Sequence, residues 1–265
     1  MLAKRVLSAL VALALVLSAI FLMPNIGTFA VLIAIVAMAA WEWGTLMTSR
    51  RSPFAIGYAL VAAGVFVAIW WLSADVSGGR HAILWLALAF WLAAFIVILR
   101  FPVSFGSPVV FVAGLTILVP AFVALAFVFD GPQGDYRLLM LLGVIWAADV
   151  GAYFFGRRFG SVKLAPRVSP GKSWEGVFGG LLTSAAVGAF GAWYLGLPIL
   201  PVTLLSAATA AVSVIGDLTV SMFKRNAGVK DSGTLFPGHG GLLDRVDSIC
   251  AGAPLFAIAL PALAG

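Results

Sequence analysis

Charge is what this sequence has least of. Only 10% of its 265 residues are Asp, Glu, Lys or Arg, against about 25% in a soluble globular domain. That is too little to cover a water-facing surface, so a soluble fold is excluded. Cysteine is nearly absent as well: Cys250 is the single one. No disulfide framework and no cysteine-built metal site can form, and a small buried apolar side chain is the role left to it. Histidine is limited to His81 and His239, which leaves a zinc site without a ligand set. No internal repeat and no low-complexity tail occurs. The alternation of apolar and polar residues that marks a transmembrane β-barrel is missing too.

Apolar residues are what is there. They make up 63% of the chain, with a mean hydropathy of +1.12. Runs of eighteen or more recur, each long enough to cross roughly 30 Å of hydrocarbon. The expected fold is an all-α polytopic integral membrane protein of about nine transmembrane helices, at 6–23, 26–47, 54–73, 81–99, 108–129, 137–155, 176–196, 198–217 and 246–264. It reads as one membrane domain over 1–265, with hydrophobic spans in 1–135 and catalytic spans and loops in 136–265. The first run follows Met-Leu-Ala-Lys-Arg as a signal peptide would, but it is long and no A-x-A site follows, so a retained helix is expected. The Ala/Ser/Thr-rich span 198–217 suits a place among other helices better than one against lipid.

The net charge of +6 does not call for nucleic acid, because the basic residues follow the positive-inside pattern. With the N-terminus cytoplasmic, fourteen of the sixteen basic residues fall on the inner side and only Arg80 and Arg137 outside. Two inner loops stand out, 156–175 and 222–245, both basic and rich in Gly and Pro.

The acids separate in the same way. Asp75, Asp130 and Asp135 lie in outer loops, and Glu42 sits inside the second span between Trp41 and Trp43, where an interface-anchored or paired carboxylate is expected. Asp149, Glu175, Asp217, Asp231, Asp244 and Asp247 all approach the cytoplasmic side. An ionisable residue within a membrane helix is costly, and function is the default reason to keep one. If the helix through Asp217 continues, Asp217, Ser221 and Lys224 share a face at i, i+4 and i+7. Asp244 and Asp247 share one at i and i+3. Carboxylates so placed suit a hard divalent cation such as Mg2+. For Asp244 and Asp247, capping of a helix N-terminus is the plainer alternative, but it leaves the crowding of Lys224, Arg225, Lys230 and Arg245 unexplained.

Around His239, the glycines Gly238, Gly240 and Gly241 allow backbone amides to approach a phosphate closely. Gly171-Lys172-Ser173 looks like the tail of a P-loop, yet the first glycine such a loop needs falls on Pro166. What survives is Lys172 and Ser173 in a turn before a helix, a phosphate contact of the plainer sort. Gly176 and Gly180 form a GxxxG, read as close helix packing. A basic, glycine-rich, carboxylate-bearing pocket at one membrane face points to phosphoryl or nucleotidyl transfer. A transporter is the rival reading, but its polar groups would gather at the midplane. The D-G-x2-A-R…G-x3-D-x3-D pattern of the CDP-alcohol phosphotransferases is not found.

Two blocks carry a resemblance. Ser221-Met-Phe-Lys224-Arg225, Lys230-Asp231, Pro237-Gly-His239-Gly-Gly241 and Asp244-Arg245-Val-Asp247 resemble the signature of the phosphatidate cytidylyltransferases, or CDP-diacylglycerol synthases. WAADVGAYFFGRRFG and SPGKSWEGVFGG upstream are similar to the same family's second block. The matched stretches cover 146–180 and 213–248, and the N-terminal half matches only in being hydrophobic. The resemblance implies cytidylyl transfer from CTP to phosphatidate in the inner leaflet, giving CDP-diacylglycerol and pyrophosphate. It implies a homodimer in a bacterial cytoplasmic membrane, with the pocket facing the cytoplasm. It further implies Mg2+, with a second cation such as K+, near Asp217, Asp244 and Asp247, and phosphates held by Lys224, Arg225, Lys230 and Arg245. Asp231 belongs to the same catalytic set. Substrate contacts are expected from Ser221, His239, Gly240, Gly241, Asp149, Lys172, Ser173 and Glu175.

Overall fold

The computed structural model of the chain describes residues 2–48, 52–73, 78–233, 235 and 240–264, with the backbone alone at 2–9 and 264. Among these residues nine helices follow one another: α1 (Leu2–Phe21), α2 (Asn25–Gly44), α3 (Pro53–Leu72), α4 (Gly79–Leu99), α5 (Ser107–Asp130), α6 (Gly134–Phe159), α7 (Trp174–Leu195), α8 (Ile199–Asn226) and α9 (Leu243–Ala264). Each coincides with one of the nine expected spans. Eight of them are long and apolar enough to cross a membrane, α1 being described in full only from Leu10. In hydrocarbon no water is present to satisfy backbone N–H and C=O groups, so an apolar run of this length has the helix as its only open solution.

Local signals set the ends. Ser52 caps α3 by accepting from the Phe54 amide, with Pro53 in the first turn. Gly196 adopts φ 69° at the end of α7, and Pro198 stands just before α8; the left-handed residue and the proline together stop one helix and start the next. The apolar side chains that remain on the outside, among them Leu60, Trp71, Leu86, Phe190 and Leu200, form the surface that a bilayer covers.

Packing centres on α5 and α9, the most enclosed helices. α2, α3 and α4 pack around α5, and α9 lies between that group and α8. One core of buried side chains runs from Ile20 to Leu260 through both halves of the chain. Against α5 the Trp43 indole N–H donates to the Val110 carbonyl at 2.8 Å, and the Tyr58 hydroxyl donates to that of Phe111 at 2.8 Å. A Cβ on Gly114 would stand 2.3 Å from both polar atoms, so only glycine leaves room for them.

α6 and α7 form the most extensively packed pair of helices. A Cβ on Gly176 or Gly180 would lie 2.9 or 2.7 Å from the carbonyl oxygens of Ala152 or Ala148 on α6. The GxxxG thus does what its spacing predicted: it lets two backbones touch. Thr183 adds a hydroxyl bond to the Ala147 carbonyl at 2.8 Å.

Three features depart from expectation. α8 continues nine residues beyond the predicted end of its span at 217, because an apolar run can stop while its helix continues into the polar face. Only one stripe of α8 is buried, carrying Ser206, Thr209 and Ser213, while Leu200 and Leu204 stay outside. The loop at 156–175 also has order of its own: β1 (Lys163–Ala165) and β2 (Ser169–Ser173) pair antiparallel, Lys163 opposite Ser173 and Ala165 opposite Ser169. Its Val168 is buried.

Candidate active site

The ends of α6 and α8 and the starts of α7 and α9, together with the β1–β2 hairpin, enclose a cavity of about 620 Å³ at one end of the bundle. Among the described residues, five aspartates and six Lys or Arg side chains line it. Most of the expected site residues are among them: Asp149, Lys172, Ser173, Asp217, Ser221, Lys224, Arg225, Lys230, Asp231, Asp244, Arg245 and Asp247.

The continued helix α8 makes this possible. Asp217, Ser221 and Lys224 do fall on one face, and the Ser221 hydroxyl donates to Asp217 Oδ1 at 3.2 Å. Asp217 is also ion-paired with Lys172 of β2, which ties the hairpin to α8. Lys224 is buried, and its Nζ lies 2.6 Å from Asp244 Oδ1 on α9. The second oxygen of Asp244 accepts from two backbone amides, Ser232 at 3.0 Å and Gly241 at 2.9 Å. Gly240, at φ 83°, makes the turn that brings the Gly241 amide round. On α9, Asp247 is 7% exposed and accepts from the Ser248 amide at 2.8 Å. The Ser248 hydroxyl reaches Asp149 Oδ1 on α6 at 3.4 Å. Arg225 reaches over the hairpin, its Nε 3.5 Å from the Val168 carbonyl. At the end of α8 the Asn226 side chain pairs with both the N–H and the C=O of Phe105, at 2.8 and 3.1 Å, and anchors α8 to the segment before α5.

Some expected residues are placed differently. Ser173 is buried, and its Oγ caps α7 by accepting from the Gly176 amide at 3.2 Å. Its oxygen thus serves the helix end, while the residue still lines the cavity. Glu175 turns away from the cavity and accepts from the Ser161 and Val162 amides at 3.0 and 3.1 Å, closing the start of the hairpin loop. Gly240 and Gly241 shape the turn without lining the cavity. His239 lies outside the described residues.

The carboxylates do not gather on one point. Among the described residues, no group of three or more His, Cys, Asp or Glu side chains is close enough to hold a cation. Two of the carboxylates are paired with ammonium groups, Asp217 with Lys172 and Asp244 with Lys224.

Two contributors were not singled out in the sequence. Small residues on α6 and α8, such as Ala148, Ala152, Gly156, Ala210 and Ser213, form the wall that keeps the cavity open; their helical spacing was the available signal. Ser232 and Ser248 hold carboxylates from positions without any periodic pattern.

Residues 3–263 match a family model described as the cytidylyltransferase family. The chain is 43% identical to the phosphatidate cytidylyltransferase of Pseudomonas aeruginosa, over 98% of this chain and 97% of that one. It is 39% identical to that of Haemophilus influenzae, over 97% of each, and 36% identical to that of Brucella suis, over 84% and 80%. The resemblance read from the two sequence blocks therefore extends to the N-terminal half, and the chain belongs to the phosphatidate cytidylyltransferase family of membrane nucleotidyltransferases.

Proposed function

We propose that this protein transfers the cytidylyl group of CTP to phosphatidate, giving CDP-diacylglycerol and pyrophosphate. The observation that carries this reading is a single cavity, lined by five aspartates and six basic residues, at one end of an apolar bundle. A water-soluble triphosphate and a lipid headgroup can meet only at such an edge.

The residues suit the chemistry. The phosphate of phosphatidate is already an anion at neutral pH, so no strong general base is required. One of its oxygens bonds to the α-phosphorus of CTP, the bond from that phosphorus to the bridging oxygen breaks, and pyrophosphate leaves with the electron pair. The obstacle is repulsion between two anions. Lys224, Arg225, Lys230 and Arg245 answer it by holding phosphates and spreading their charge, and Lys172 faces the same space. This is catalysis by position and by electrostatics.

A hard divalent cation fits the donor chemistry of Asp217, Asp244 and Asp247, which are all-oxygen ligands lining one cavity. As placed, two of the three are held by lysines, so Mg2+ would enter in exchange for those ammonium groups. Bound there, it would neutralise charge on the phosphates. A second cation such as K+ belongs to the same proposal. So do a cytoplasmic orientation of the cavity in a bacterial inner membrane, supported by fourteen of sixteen basic residues on that side, and a homodimeric state.

The test is lipid-soluble label from radiolabelled CTP, with protein in detergent, phosphatidate and Mg2+, with and without EDTA. Label that needs both phosphatidate and Mg2+ is expected. A folded protein that binds CTP yet never labels phosphatidate would overturn the acceptor, and undiminished label in EDTA would overturn the cation.

A further inference from the structure

Glu42 lies on α2, more than 180 residues away in sequence from the segment it touches, and it does not line the cavity. Its side chain is 1% exposed. A carboxylate so deep in a membrane bundle is costly unless it is fully bonded. Here its partners are the first turn of α9 and the strand of chain leading to it. Oε1 accepts from the Leu242 amide at 2.9 Å, and Oε2 accepts from the Leu243 amide and the Ser232 hydroxyl, both at 2.8 Å. The two amides belong to the positive end of α9, where an anion is favoured. The backbone is pressed close around the carboxylate: a Cβ on Gly233 or Gly241 would come within 2.3 or 2.2 Å of a Glu42 oxygen.

The same short stretches serve a second carboxylate. Ser232 and Gly241, through their amides, hold Asp244 Oδ2, while Asp244 Oδ1 holds Lys224. Ser232 is thus bonded to Glu42 by its hydroxyl and to Asp244 by its amide. Displacing the stretch moves both ends of the lysine's partner.

We propose that Glu42 is a positioning residue for the reaction: from outside the cavity it fixes the start of α9 and the Ser232 segment, and through them the Asp244–Lys224 pair. The kinetic part rests on the cytidylyl-transfer reading above; the structural part does not.

Glu42→Gln keeps the size and breaks the bonding. The site presents two backbone N–H groups on different oxygens, and an amide has one oxygen to offer. Whichever way the new side chain turns, one N–H faces an NH2 group. Ser232→Ala is the milder variant, since it removes one hydroxyl and leaves both helix amides bonded.

The experiment compares the full-length wild type with both variants in detergent, by hydrogen exchange at 240–247 and by steady-state kinetics with CTP. For Glu42→Gln, exchange at the Leu242 and Leu243 amides should rise about tenfold. At the same time kcat/KM for CTP should fall about 10- to 100-fold, as small misplacements of catalytic groups do. Exchange around Arg80 and Asp130 at the other end should not change. For Ser232→Ala, a loss of about threefold in kcat/KM is expected. A lowered melting temperature with wild-type kcat and KM in the folded fraction would mean that Glu42 only stabilises the bundle, and would overturn the proposal. If Glu42→Gln fails to fold, Ser232→Ala decides alone, and unchanged kcat/KM in it overturns the proposal. If the wild type itself makes no labelled lipid, the function assigned above fails, while the exchange at Leu242 and Leu243 still decides whether Glu42 is the anchor.

Discussion

At each end of the bundle an aspartate faces a cation, and the two surroundings differ. At one end Arg80 meets Asp130 at 3.2 Å, with the Asp130 side chain 57% exposed. The guanidinium lies 3.7 Å over the ring of Trp70 and also reaches its carbonyl. At the other end Lys224 meets Asp244 at 2.6 Å with both side chains 9% exposed, and Lys172 pairs with Asp217. A hollow of about 490 Å³ exists beside Asp130 as well, but among the described residues its only ionisable lining side chains are Asp130 and Arg137. The cavity at α8 and α9 has eleven acidic or basic side chains, among the described residues, facing one volume. An ion pair tells little about function on its own. What separates a site from a tether is that its charges share an enclosed space and that their partners are held by further bonds.

The strongest way to break this contrast is to remove one charge from the crowded end without changing shape. Asp247→Asn keeps the side chain's size and an oxygen for the Ser248 amide, and it deletes the charge facing the cavity. Turnover should fall by about 10²- to 10³-fold, the scale of losing one electrostatic group from a preorganised site, with the melting temperature nearly unchanged. Labelled-CTP assays on the folded variant check it. Wild-type turnover would mean that Asp247 is a buried structural acid, and that the two ends differ less than the geometry says.

Lys224→Met comes next, because it separates pairing from catalysis. The substitution leaves Asp244 with two amide donors and no cation in a place that is almost closed to water. Removing one partner of a buried pair costs about 3–5 kcal/mol; with both amides remaining, the lower end is expected. Unfolding by denaturant in detergent measures this. A loss below about 1 kcal/mol, the value of an exposed pair, would show that the buried pair behaves as the exposed one does.

The sequence revealed the long-period features and left the pairings hidden. All nine helices were legible, and for the eight long and apolar enough to cross a membrane the reason is that each apolar run must exceed the hydrocarbon thickness, a requirement written in consecutive residues. The faces were legible too: i, i+4 and i+7 put Asp217, Ser221 and Lys224 together once α8 was allowed to continue. That the helix does continue to Asn226 was masked by hydropathy, which falls at Asp217 while the backbone bonds go on. The hairpin at 163–173 was hidden for another reason, since strands of three and five residues with Pro170 and Gly171 in them carry no alternation. Hardest to see was who bonds to whom. Asp244 takes a partner twenty residues back, and Glu42 takes partners near 240. No local spacing encodes such contacts; they follow from how α2, α8 and α9 pack. Glu42 was read as an interface-anchored or paired carboxylate; it is buried, and its partners are two backbone amides and a hydroxyl.

Arg80→Ala is the smallest change and the sharpest control. It removes a salt bridge whose acid is more than half exposed, worth about 0.2–1 kcal/mol, and a cation–π contact over the largely buried Trp70, worth about 1–2 kcal/mol between the exposed and the desolvated limits. The two losses are not independent, since one guanidinium makes both contacts, so about 1–2 kcal/mol in total is expected. None of its partners touches the cavity at α8 and α9. Turnover with CTP and phosphatidate should therefore stay within about twofold of wild type, while unfolding shifts slightly. A large loss of activity in a folded Arg80→Ala protein would mean that the two ends are coupled through α4 and α9, which pack against each other. The difference between tether and site would then be one of degree, set by how rigidly the bundle carries a change from one face of the membrane to the other.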